Sequence, residues 1–200
     1  MVSEFRNPSS RTNHEFRKPG TRPSRLPGDP EPRERVHRMI RVNQAGEFGA
    51  KRIYQGQLAV LGQSEAAPLL REMLAQEEQH LQRFNELAAD LGVRPTALEP
   101  VWSVAGFALG AATAALGREA AMACTVAVED VIGEHYAAQA AELDASEQDL
   151  KSTIVAFRED ELRHRDESLA AGAELAPAYP VLTGAVKAAT RLAIWLSTRV

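Results

Sequence analysis

Glu161-Leu162-Arg163-His164 is the stretch on which the reading of this chain turns. A glutamate and a histidine three residues apart share one face of a helix, so both side chains can grip the same ion. The stretch has a twin, Glu77-Glu78-Gln79-His80, 84 residues earlier. A lone glutamate precedes each copy: Glu47 stands 30 residues before Glu77, and Glu129 stands 32 residues before Glu161. The order is therefore Glu…Glu-x-x-His, twice over. A third pair, Glu34-Arg35-Val36-His37, is a decoy. It lies ten to thirteen residues before Glu47 on the same helix, about 15–20 Å away at 1.5 Å per residue.

Outward from these motifs the apolar spacing is helical. A first helix is expected from about Glu34 to Gln63, with Ile40, Gln44, Glu47, Ala50, Tyr54, Leu58 and Leu61 on one seam. A second starts near Ser64 as N-cap, with Pro68 in its first turn, and carries Leu70, Met73, Glu77, His80, Phe84, Leu87 and Leu91 until Gly92 and Pro95 end it. A third carries Met122, Val126, Glu129, Ile132, Tyr136, Ala140 and Leu143. A fourth starts after Ser146, with Asp149 placed for capping, and carries Leu150, Ile154, Phe157, Glu161, His164 and Ser168. A last amphipathic helix, about 180–198, carries Val181, Ala185, Ala188, Leu192, Trp195 and Leu196.

The four glutamates and two histidines thus fall on apolar seams rather than on solvent faces. A charged glutamate turned toward a core costs several kcal/mol unless it is paired or bound to metal. Four that converge need cations, and two metal ions cancel four negative charges. One Glu from each of two helices and one Glu-x-x-His from each of two others is the ligand set of di-iron and di-manganese carboxylate bundles. Carboxylates mixed with imidazoles suit iron or manganese better than a thiolate-rich zinc site would. Asp160 and Asp130, each beside one of these glutamates, are either orienting partners for a histidine across the bundle or plain surface acids. His135 belongs to no such pair.

Composition sets the remaining bounds. Two hundred residues, 44% of them hydrophobic, suffice for one domain with a sizeable core. A net charge of -4 and an isoelectric point near 5.8 give no sign of general nucleic-acid binding. A single cysteine, Cys124, excludes an intrachain disulfide and fits a reducing compartment. The start of the chain carries no apolar signal peptide. Residues 1–33 hold Pro8, Pro19, Pro23, Pro27, Pro30 and Pro32 together with many arginines and serines. Such a segment buries too little apolar surface to offset its ordering entropy, and a basic, disordered tail is expected. Residues 101–117 carry no charge, and at that length they approach the lower limit for a bilayer span. A buried core segment, a patch dipping into a membrane surface with Trp102, Phe107 and Trp195, and a true span all remain open for it.

Longer motifs surround the metal pattern. Arg41-Val42-Asn43-Gln44-Ala45-Gly46-Glu47-Phe48-Gly49-Ala50, with Arg52-Ile53-Tyr54-Gln55-Gly56-Gln57 after it, resembles the first bundle helix of the demethoxyubiquinone hydroxylase family. Ala123-Cys124-Thr125-Val126-Ala127-Val128-Glu129 resembles its third, and Phe157-Arg158-Glu159-Asp160-Glu161-Leu162-Arg163-His164 its fourth. Ala173-Glu174-Leu175-Ala176-Pro177-Ala178-Tyr179 resembles the segment that follows. The resemblance covers about residues 38–200. It implies an all-α, ferritin-like four-helix bundle with an extra apolar helix and a C-terminal helix, filling residues 34–200. It implies two iron ions held by Glu47, Glu77, His80, Glu129, Glu161 and His164, with Tyr136 and His135 nearby in electron transfer or proton supply. It implies O2-dependent hydroxylation of a long-chain demethoxyubiquinol ring in ubiquinone biosynthesis, with NADH as electron source. The place implied is peripheral, on the cytoplasmic face of the inner (cell) membrane, or at the mitochondrial inner membrane in a eukaryote. A lipid-presenting partner and a homo-oligomer are left open, and no nucleic acid is implied.

Three rival readings share parts of this pattern. A ferritin-like ferroxidase or peroxide-scavenging protein would use the same six side chains but needs no lipid-facing surface. A di-iron hydroxylase acting on RNA would need a basic patch. A metal-free helical interaction module would leave the buried carboxylates unexplained.

Overall fold

A computed structural model describes residues 31–200, so all but the last residues of the expected 1–33 tail lie outside the described part. Among the described residues the chain is all α, with no strand. Its helices are α1 (Pro32–Leu61), α2 (Ala67–Leu91), α3 (Glu99–Ala115), α4 (Arg118–Glu142), α5 (Gln148–Ala170) and α6 (Tyr179–Ser197). The four longest, α1, α2, α4 and α5, form the expected ferritin-like bundle. α1 packs on α2 and α4 on α5, each pair antiparallel across a short connection. Lys51 on α1 meets Glu78 on α2 at 3.0 Å, and Arg158 on α5 donates to the Gly133 carbonyl of α4 at 3.2 Å. Ile40, Leu70, Met73, Phe84, Met122 and Ile154 are fully buried between them, each contributing on the order of 1.5–3 kcal/mol by leaving water.

Two helix caps differ from expectation. Ser64 does not cap α2, which begins three residues later. Its hydroxyl is taken up by the turn itself, donating to the Leu61 carbonyl at 2.7 Å and accepting from the Ala66 amide at 3.3 Å. Before α5, Asp144 and Glu147 form a reciprocal capping box on a short 3-10 turn. Asp149 is thereby freed to pair with Arg83 on α2 at 3.0 Å. Ser64 is taken by the backbone of its own turn, and the capping before α5 falls to Asp144 and Glu147 instead of Asp149.

α3 settles the apolar stretch. No helix among the described residues, α3 included, is long and apolar enough to cross a membrane. One face of α3 lies directly on α1. A methyl group on Gly110 would sit 2.0 Å from the Ile53 carbonyl oxygen, and one on Gly56 2.2 Å from that of Phe107. Glycine is required at this crossing because the two backbones touch. The other face is open: Val101, Val104 and Leu116 are exposed. Trp102 and Phe107 are not the outward residues. The Trp102 indole donates to Ser197 Oγ at 2.9 Å, and Phe107 lies under the Arg52 guanidinium at 5.1 Å.

α6 lies along α4, pinned by Lys187 to Asp130 at 2.7 Å and Arg191 to Glu134 at 3.0 Å. Its bundle-facing residues are Leu182, Val186 and Ile194. The stripe picked out by spacing turns the other way: Val181, Leu192 and Trp195 are each more than half exposed. α6 has apolar residues on two sides, and periodicity alone did not tell which side packs. Between α1, α3, α4 and α6 runs an apolar groove of about 150 Å³, lined among others by Gly46, Ile53, Trp102, Leu109, Ile132 and Ile194.

Candidate metal centre

Each of the four bundle helices brings its seam residues to one level of the core. Glu47 comes from α1, Glu77 and His80 from α2, Glu129 from α4, and Glu161 and His164 from α5. None is more than 3% exposed. They form two overlapping groups, Glu47–Glu77–His80–Glu161 and Glu77–Glu129–Glu161–His164. Within each group one oxygen or nitrogen per residue lies within 4.8 Å of all the others. Glu77 and Glu161 belong to both.

The atoms turned inward are those a cation would take. His80 Nδ1 lies 3.2 Å from Glu161 and 3.5 Å from Glu47. His164 Nδ1 lies 3.2 Å from Glu77 and 3.4 Å from Glu161. Both oxygens of Glu77 and of Glu161, one of Glu129, and the Nδ1 atoms of both histidines lack a hydrogen-bond partner within the chain. Buried polar atoms are rarely left so. Seven of them aimed at one point fit metal ions, and the donor set is that of a two-metal carboxylate site.

The electrostatics agree. Burial, and then the facing carboxylates, push Glu77 and Glu129 well above the usual carboxylate range. Burial also pushes Glu161 up, but the imidazoles of His164 and His80 outweigh it and hold this carboxyl down at about 2. Burial lowers His80, yet Glu161 and Glu47 beside it raise it to about 11. Without a cation, the cluster keeps its negative charge in check with protons. A cation bound there would displace those protons.

Around the cluster stand residues of mixed legibility. Tyr136 reaches it, its hydroxyl donating to Glu47 Oε1. His135 turns instead to Gln139, 2.8 Å away, which exchanges hydrogen bonds of 2.7 and 2.9 Å with Asn43. Burial alone lowers His135 to about 4, so it is neutral. Asp160 does cross the bundle, its Oδ2 lying 3.1 Å from His80 Nε2. Asp130 does not: it binds Lys187. The decoy His37 accepts from Arg33 at 3.3 Å and joins neither group. Two contacts escaped the sequence reading. Tyr54 donates to Glu129 Oε1 at 2.7 Å, and Gln76 Oε1 lies 2.5 Å from His164 Nε2. Tyr54 stands seven residues after Glu47 on the same seam, a placement that could have marked it. Gln76 carries no such signal.

Comparison with known proteins agrees with this geometry. Residues 34–197 match the family model described as ubiquinone biosynthesis protein COQ7. The chain is 59% identical over 181 residues to a 3-demethoxyubiquinol 3-hydroxylase of Rhodospirillum rubrum, covering 90% of this chain and 85% of that protein. It is 52% identical over 171 residues to the human NADPH-dependent 3-demethoxyubiquinone 3-hydroxylase, mitochondrial, covering 84% and 79%. It is 42% identical over 182 residues to the mitochondrial 5-demethoxyubiquinone hydroxylase of Saccharomyces cerevisiae, covering 82% and 78%. By fold, by buried site and by extent of match, the chain belongs to the COQ7 family of ubiquinone biosynthesis proteins.

Proposed function

We propose that residues 34–200 form a di-iron hydroxylase that uses O2 to hydroxylate the ring of a long-chain demethoxyubiquinol at a membrane surface, and that residues 1–33 are a basic tail preceding it in sequence. The observation that carries this reading is the pair of overlapping Glu/His groups sharing Glu77 and Glu161. Relatives named as hydroxylases of demethoxyubiquinol and demethoxyubiquinone support the substrate.

In this reading Glu47, Glu77, Glu161 and His80 would hold one iron, and Glu77, Glu129, Glu161 and His164 would hold the other. Bound iron supplies the activation of O2 and the electron transfer to it. The chain supplies everything else. Tyr54 and Tyr136 each donate to one carboxylate oxygen, on Glu129 and Glu47, which fixes the direction of the remaining lone pairs. Burial, together with these carboxylates, pushes both phenols well above their ordinary value, so each keeps its proton on oxygen. Ile40, Met73, Phe84 and Met122, none of them measurably exposed, help keep water from the core.

The apolar groove between α1, α3, α4 and α6 suits an isoprenoid chain. In its wall, Gly46 adjoins Glu47 in sequence, and Ile132 lies one turn along α4 from Glu129 on the same face. The outward apolar residues of α3 and α6 suit a lipid surface, where an amphipathic helix buries one side among headgroups. A ferroxidase would need the six ligands but neither groove nor outward apolar faces, so the quinone reading is preferred. NADH is the proposed electron source. Several relatives are named NADPH-dependent, so both nicotinamides belong in the test.

The experiment is a reconstitution with iron, liposomes, a demethoxyubiquinol and ¹⁸O2, supplied in turn with NADH and NADPH. The expected product is the ring-hydroxylated quinol carrying one labelled oxygen. Iron uptake without labelled product from either donor would refute the hydroxylase reading and leave the ferroxidase one.

A further inference from the structure

The duplicated motif is nearly symmetric, and the break in its symmetry lies behind the imidazoles. Each Glu-x-x-His helix also carries, one residue before its glutamate, the group that orients the other helix's histidine. Asp160, before Glu161 on α5, places Oδ2 3.1 Å from His80 Nε2. Gln76, before Glu77 on α2, places Oε1 2.5 Å from His164 Nε2. Both histidines turn Nδ1 toward the carboxylates; with a cation on Nδ1, Nε2 would carry the proton and donate it outward. The exchange is crosswise, but one acceptor is a carboxylate at 3.1 Å and the other an amide at 2.5 Å.

That difference reaches the metal. A carboxylate pulls harder on the Nε2 proton than a neutral amide does, which makes Nδ1 of the same ring a stronger donor. Asp160 is fixed in this role by Arg163 at 2.8 Å. The other supports match: Tyr136 donates to Glu47 as Tyr54 does to Glu129. Each position offers three carboxylates and one imidazole. Burial does not separate them either, since Glu47 and His80 are 2% and 3% exposed against 1% and 0% for Glu129 and His164.

We infer that Asp160 and Gln76 are positioning residues that make the two metal positions unequal. The Glu47–His80 position binds its cation first and more tightly, and the Glu129–His164 position fills second. The inference rests on the two-metal reading above and adds to it an order of filling and the residues that set it.

The test is a titration of the metal-free full chain with Co(II), followed by the cobalt absorption bands and by metal content. The wild-type protein should take two equivalents in two steps, separated by roughly 10–100-fold in affinity, the usual effect of an outer partner on a metal site. Asp160→Asn should weaken the first step by a similar factor and leave the second nearly alone. Gln76→Glu should strengthen the second step and bring the two together. It also separates this account from simple repulsion between two cations, which would keep the gap open. One indistinguishable step in the wild-type protein overturns the inference while leaving the two-metal site standing. So does a variant pair in which both steps move in parallel, as a merely structural role would give. Failure of the wild-type protein to take up any metal removes the two-metal reading and the inference with it.

Discussion

Glu161→Gln is the sharpest test of the metal centre, because this one carboxylate serves both groups. The substitution keeps volume and shape, so the core around it stays filled, but it removes one negative charge from the middle of the site. Glu161 is 1% exposed, and both its oxygens lack a hydrogen-bond partner within the chain. Breaking a buried charge pair from one side costs about 3–5 kcal/mol. Taken as lost binding energy at each position, that is roughly 150- to 4,000-fold in affinity, at 1.4 kcal/mol per tenfold. A ligand at about 1,000 times its Kd stabilises the folded chain by ~4 kcal/mol. For a domain of this size each kcal/mol moves Tm by roughly 2–4 °C. Metal at that excess should therefore raise the wild-type Tm by about 8–16 °C per site and the Glu161→Gln Tm by no more than about 5 °C per site. The assay is differential scanning fluorimetry of the stripped protein with and without Fe(II) or Mn(II), paired with metal analysis after gel filtration. A variant that retains two metals per chain and the full rise in Tm would refute the reasoning.

Three further outcomes follow from other parts of the structure. In the metal-free protein, Glu77 and Glu129 have folded-state pKa values above their unfolded ones. They therefore favour the fold most below about pH 4.5 and progressively less as pH rises through their raised values. Denaturant unfolding of the stripped protein should show stability falling from pH 5 toward pH 8, while excess metal should reverse that slope, because cations compete with those protons. Gly110→Val puts side-chain atoms into the Ile53 backbone; it should destabilise the chain by more than about 3 kcal/mol in the same measurement, whereas Ala108→Val on the exposed side of α3 should change it by less than about 0.5 kcal/mol. Replacing the exposed Leu192 and Trp195 of α6 together by serine should weaken liposome co-sedimentation at least tenfold without altering metal content or Tm; unchanged sedimentation would show that this face does not meet lipid.

Much of the fold was legible in the residues themselves. A 3.6-residue period placed the bundle helices to within a few residues, because an amphipathic helix must turn its apolar stripe inward. The two Glu-x-x-His pairs and two lone glutamates were legible for a sharper reason. A carboxylate on an apolar seam is costly in any helical packing, so its position in the sequence already demands a partner. What failed was local or two-sided. Ser64 and Asp149 were credited with caps that nearby backbone groups and Arg83 claimed first. The stripe on α6 was seen and is the outward one, but the residues that pack were not legible, since both flanks of that helix are apolar.

Sequence by itself placed four glutamates and two histidines on the apolar seams of four helices, since the helical period fixes which residues share a face. Only the tertiary structure decided what stands behind them. Whether Asp160 met a histidine while its counterpart Asp130 met Lys187 depended on how helices cross. Whether Gln76 and Tyr54 touched the site depended on contacts between residues 88 and 75 positions apart. Such contacts leave no periodic trace in a sequence, because a polar side chain at the edge of a seam reads the same whether it faces water or a buried imidazole.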